Sequence, residues 1–223
     1  MILTNRLFKR EIPSRDAKSI FIFCEGLKRE YQYFTFFMEK DSRINVKVYK
    51  LNPSEDNSPL GLLNIAKRCI ISSQSNPKPK YTFLENDEVW IVLDTDKDKN
   101  ESRKPQINQV KIECNEMENW FIAESNPCFE VWLYYHLFSK KPSFSGDEAC
   151  SNWKVMVSKC IQGGFDSRRH PIYIEDAIKN STNNFEGNEN SPNKGSTEVF
   201  NLGKSIFHLV EAKIKQVKKD YGL

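Results

Sequence analysis

The sequence has no apolar run near the roughly 20 residues that a membrane-spanning helix requires, so it reads as a protein that crosses no membrane. Its opening, MILTNRLFKREIPSRDAK, is charged throughout and lacks the apolar stretch of a signal peptide, which sets the expectation of a cytoplasmic protein. An excess of one charge is lacking too, since 33 basic residues stand against 30 acidic ones for a net charge of +3. A nucleic-acid partner is therefore not announced by composition and has to be argued from a local patch. The six cysteines, at 24, 69, 114, 128, 150 and 160, form no CxxC pair and no zinc-ligand spacing. They read as buried thiols, not as disulfides or a structural zinc site. There is no P-loop GxxxxGK(S/T), so the chain does not itself look like an ATPase, and no internal repeat divides it.

What is present is a chain of 223 residues, 39% hydrophobic and 28% charged, which excludes wholesale disorder and allows a sizeable core. Ile20 to Cys24 and Val89 to Leu93 are continuous apolar runs of the kind found in strands buried on both faces. Val46 to Leu51 and Trp120 to Ala123 are two further strand candidates. Helical spacing fills the gaps at 29–40, 60–71 and 106–117. Ser125-Asn126-Pro127 reads as a helix start, a capping side chain before a first-turn proline, with the helix running to about Phe138. Strands alternating with helices imply parallel pairing through right-handed crossovers, an α/β sandwich with a mainly parallel sheet of about four strands. That core is expected over residues 1–139, with a mainly helical extension over 140–223 packed on it. The extension holds a polar segment, 180–196, expected to be a mobile loop, and ends in an amphipathic helix through Ile206, Val210 and Ile214.

In an open parallel sheet, ligands gather beyond the carboxyl ends of the strands. Three predicted strands end there in polar residues: Glu25-Gly26, Asp94-Thr95-Asp96 and Glu124-Ser125-Asn126. Asp94 and Asp96 are two apart, so an extended backbone points both carboxylates the same way. Carboxylates converging on one spot repel unless a cation lies between them, and Mg²⁺ (or Mn²⁺) suits such a site because it leaves positions for water and phosphate oxygens.

Several blocks then resemble the RloB family: IFIFCEGLKREYQYF, VWIVLDTD, AESNPCFEVWLYYH and STEVFNLGKSI, in the family's order across most of the chain. The resemblance implies a Toprim-like fold, the Mg²⁺-binding α/β module of topoisomerases, primases and overcoming-lysogenization-defect nucleases. It also implies a setting beside restriction and phage-defence genes, commonly with an AAA-type ATPase called RloA. Carried over residue by residue, Glu25 matches the Toprim glutamate that serves as general base or acid, or as a further metal ligand, and Asp94 and Asp96 match the metal ligands. Glu30, Asn126, Glu130 and His136 fall in blocks similar to the family's own and are additional candidates. The family often has Thr-Glu where this chain has Arg29-Glu30, and a histidine where it has Lys97-Asp98-Lys99.

Bland readings stand beside these. Asn126 and Pro127 are explained by a helix start, and His136 by packing. Glu130 shares a helical face with Leu133 and Tyr134, which suits a structural ion pair as well as a site. Lys97, Lys99, Arg103 and Lys104 follow the two aspartates directly and would face substrate phosphates, but a charged loop of this kind is usually just solvated; Lys97 and Lys99 are the substrate-binding candidates. The functional expectation is a Mg²⁺-dependent nuclease acting on DNA or RNA as effector of an anti-phage system. The alternative is a non-catalytic, Toprim-like partner of an AAA-type ATPase.

Overall fold

The structure is a computed structural model and describes residues 8–26, 28–95, 100–144, 148–188 and 191–223. Its centre is a five-stranded sheet of β1 (Lys18–Cys24), β2 (Ile44–Val48), β3 (Glu88–Asp94), β4 (Trp120–Asn126) and a two-residue strand Ser196–Thr197, in the order β2, β1, β3, β4 and the short strand. The first four pair in parallel, as the alternating pattern predicts. The short strand is the seventh in the chain, β7, and joins β4 antiparallel, with Ser125 opposite Thr197. Between them, β5 (Gly187–Asn188) and β6 (Ser191–Pro192) form a separate small ribbon.

The apolar runs are continuous because successive side chains leave the sheet on opposite faces, and both faces are covered. Ile20, Ile22, Cys24, Trp90 and Val92 enter the larger core. Phe21, Phe23, Val89, Ile91 and Leu93 enter the smaller one. The smaller core is closed by α2 (Pro59–Ile70) and α3 (Asn100–Asn115), through residues such as Leu62, Ala66, Ile107 and Val110. Ser58 caps α2 by accepting the Gly61 amide at 3.1 Å, with Pro59 as the first helical residue. The larger core is closed by α1 (Arg29–Thr35), α4 (Glu130–Tyr134), α5 (Cys150–Cys160), α6 (Ile174–Asn183) and α7 (Val199–Tyr221). The result is a three-layer sandwich, with the C-terminal helices built into one outer layer.

Three boundaries differ from the sequence reading. First, β4 runs on to Asn126, the Asn126–Pro127 peptide is cis, and the next helix begins only at Glu130. The dipeptide is thus the exit from a strand, because Ser125 and Asn126 pair with β7. Second, α3 begins at Asn100, before Pro105 and not after it. A proline in the second turn removes one amide bond there without ending the helix. Third, the polar segment 180–196 is partly hydrogen-bonded structure. Helix α6 continues to Asn183, and the Asn184 Nδ2 donates to the Ser139 carbonyl at 2.9 Å. Pro192 is buried there as well.

Candidate functional site

The chain runs from β1 to β2 on one side, then crosses back over β1 to reach β3. That reversal places the switch point of the sheet between the carboxyl ends of β1 and β3, the position at which open parallel sheets bind ligands. Glu25 is the first residue past β1 and Asp94 the last of β3, so both stand at this point. The alternation of side chains puts Asp94 on the face of Trp90 and Val92, toward the larger core.

Glu25 meets Arg103, which enters from the first turns of α3. The guanidinium forms an ion pair with the Glu25 Oε2, and Arg103 Nε donates to the Asp94 carbonyl oxygen at 2.9 Å. The Arg103 residue is only 6% exposed. The Asp94 amide approaches the same Glu25 oxygen at 3.5 Å, a long contact beside the guanidinium bond. Arg103 therefore ties the ends of β1 and β3 together, a role opposite to the solvated loop considered for it from sequence. The signal that would have found it is the helical register of 100–104, which Pro105 disguises.

On the other side of the edge, three carboxylates gather. Glu30, on the first turn of α1, is 9% exposed, and its carboxylate lies against Gly26. A Cβ at Gly26 would stand 1.7 Å from Glu30 Oε2, so the glycine makes this approach feasible. Burial, together with the neighbouring Glu130 and Glu25 charges, moves the Glu30 carboxyl up from 4.5 to about 7. Asp94 is held well above the usual carboxylate range, first by burial and then by Glu30, Glu25 and Glu130. Glu130 opens α4 at 4% exposure, with Arg29 Nε 3.7 Å from its carboxylate. Among the described residues, Asp94 and Glu30 form no ion pair.

Of the other sequence candidates, Asn126 and His136 lie away from this edge. Asp96, Lys97 and Lys99 fall outside the described residues. Asn126 is spent on the loop before β7: its Nδ2 donates to the Pro192 carbonyl at 2.8 Å, and its carbonyl accepts the Gly195 amide at 2.7 Å. His136 is buried among Tyr33, Trp132 and Phe165. Its Nδ1 donates to the Trp132 carbonyl at 3.0 Å, which leaves Nε2 to accept from the Tyr33 hydroxyl at 2.9 Å. Burial lowers its pKa to about 3, so it is a neutral packing group. Glu124 is fully buried on the α3 side, in an ion pair with Lys111, and its Oε2 accepts from Ser191 Oγ at 3.3 Å. A groove of about 600 Å³ lies at the opposite, amino end of β4, between Ile70, Tyr81, Phe83 and Trp120, away from every carboxylate discussed.

The family model described as RloB-like protein matches residues 20–206, from β1 into α7. The chain belongs to the RloB-like family. The match includes Glu25, Glu30, Asp94, Arg103 and Glu130, so the whole carboxylate edge lies within the family's part of the chain. No curated protein and no solved structure matches it. Among the described residues, no helix is long and apolar enough to cross a membrane.

Proposed function

We propose that this RloB-like protein is a divalent-cation-dependent phosphodiester hydrolase of nucleic acid, working as the effector of an anti-phage system. The observation that carries the reading is Asp94: a carboxylate at the switch point of a parallel sheet, pressed by burial and by three other carboxylates. Such crowding is unfavourable without positive charge, and an all-oxygen donor set suits Mg²⁺ or Mn²⁺. Asp94 and Glu30 would hold the ion, with Asp96 as a further ligand. When bound, the ion supplies charge stabilisation for a phosphodiester oxygen and for the leaving oxygen.

Glu25 is the proton acceptor for the attacking water. In the structure one of its oxygens is engaged by Arg103, so acceptance requires the guanidinium to yield that oxygen. A phosphate diester competes for the guanidinium as a charged, bidentate partner, and Arg103 then orients the substrate while Glu25 takes the proton. Lys97 and Lys99 add phosphate contacts in this reading.

The Arg103–Glu25 pair also favours a second reading, in which the edge is closed and the chain is a binding or regulatory partner of an AAA-type, RloA-like ATPase. One experiment separates the two. The purified chain is incubated with tRNA, single-stranded DNA and duplex DNA in Mg²⁺ or Mn²⁺, with and without the co-expressed ATPase neighbour. Cleavage that needs the cation and is abolished in Asp94→Asn supports the hydrolase. No cleavage on any substrate, with the ATPase bound, overturns it in favour of the partner.

A further inference from the structure

Cys128 and Cys150 are far apart in the sequence, and a search for local zinc motifs passes over them. The fold brings them together. Cys128 lies between β4 and α4, Glu130 opens α4, and Cys150 opens α5. One ligand atom from each, two sulfurs and a carboxylate oxygen, all lie within 4.8 Å of one another. Cys128 is 0% exposed, Glu130 4% and Cys150 9%, so this is not an accidental surface grouping.

Two sulfurs at a Zn–S length of about 2.3 Å across a tetrahedral angle stand about 3.8 Å apart, so closing around an ion needs only a small inward movement. The charges around the trio also fit. Lys154 stands one turn along α5 from Cys150, and Arg29 faces Glu130 at 3.7 Å. Such outer partners orient first ligands and offset their charge. Today the Cys128 thiol donates to the Cys150 carbonyl oxygen at 3.8 Å, a weak bond that an ion would replace.

We propose that Cys128, Glu130 and Cys150 form a binding site for one thiophilic divalent cation of the zinc class, with its fourth position open to water or another small ligand. Two thiolates and a carboxylate are a donor set that zinc accepts and that Mg²⁺, a hard ion, does not. The site therefore does not rest on the hydrolase reading. A chain that cuts nothing and still binds zinc through sulfur separates the two.

The test uses the full chain, reduced and stripped of metal, titrated with Co²⁺ and then Zn²⁺ in the presence of Mg²⁺. The expected result is one equivalent of Co²⁺ with a thiolate-to-cobalt charge-transfer band, displaced by Zn²⁺. Cys150→Ser should lose the band and weaken zinc binding by roughly a hundredfold or more, and Glu130→Gln by roughly tenfold. Wild-type protein gives a readout that no folding defect can mimic. Zinc should protect Cys150 from alkylation, read by peptide mass, while the exposed Cys160 stays reactive. Absence of the charge-transfer band, or equal alkylation of Cys150 with and without zinc, overturns the proposal. So does a reduced protein that binds no zinc and forms a Cys128–Cys150 disulfide in air, which makes the pair a redox couple.

Discussion

Glu30 links stability to pH because its carboxyl titrates near 7 in the folded chain and near 4.5 when free. The folded state binds that proton more tightly, so the contribution is fully present below 4.5 and is lost as pH rises through 7. In chelator, wild-type protein should lose of order 1–3 kcal/mol between pH 5 and 8 that Glu30→Gln does not lose. Urea melts of the two proteins at both pH values check this, and parallel pH profiles would remove Glu30 from the cluster. Gly26→Ala is a finer probe of the same contact, since its methyl group takes the space of the Glu30 carboxylate. The carboxylate sits at the end of a flexible side chain and can swing away, so stability should change by less than about 1 kcal/mol. Mg²⁺ affinity should fall clearly, measured by calorimetric titration beside the wild type.

At the scale of elements, α3 is more than a crossover helix, because its first turns deliver Arg103 to the ends of two strands. Arg103→Ala leaves Glu25 without that partner and the Asp94 carbonyl without its donor, and should cost about 2–4 kcal/mol. Arg103→Lys should recover only part of this, since an ammonium does not reproduce the two directed bonds of the guanidinium. Chemical denaturation of both variants decides the point; equal stability of Arg103→Ala and wild type would make the bridge ornamental. Strands β1 and β3 were legible because each is buried on both faces and so reads as an apolar run, whereas β2, at the edge of the sheet, showed itself only by alternation. Glu25 and Asp94 were legible because a carboxylate directly after such a run must lie at the edge of the sheet. Arg103 was not, since Pro105 reads as a helix start when it lies inside one. The Cys128–Cys150 pairing was not either, because it arises from packing α5 against α4. Strand β7, at two residues, carries no periodicity to read.

For the whole molecule, the larger core takes residues from Phe8 to Ile214, so the strands and the C-terminal helices share it. Packing that continuous predicts one cooperative unfolding transition. Fluorescence of the four tryptophans and far-UV circular dichroism should report coincident urea midpoints. Ile206, fully buried on α7, tests the coupling at a distance from the site. Ile206→Ala should lower stability by about 2–5 kcal/mol and move both probes together. Two separated midpoints would mean that the C-terminal helices fold as a unit of their own.

The pairing of Ser125 with Thr197 also has a consequence for how the protein is made. A ribosome releases β4 some seventy residues before β7, and until then the outer side of β4 presents unpaired amides and carbonyls. A nascent chain stalled in that interval carries a nearly finished sheet with a sticky rim, open to pairing with a second nascent copy. Arrival of Ser196 and Thr197 closes the rim at its carboxyl end, and the Glu198 amide, donating to the Glu124 carbonyl at 2.7 Å, fastens the seam just before α7 begins.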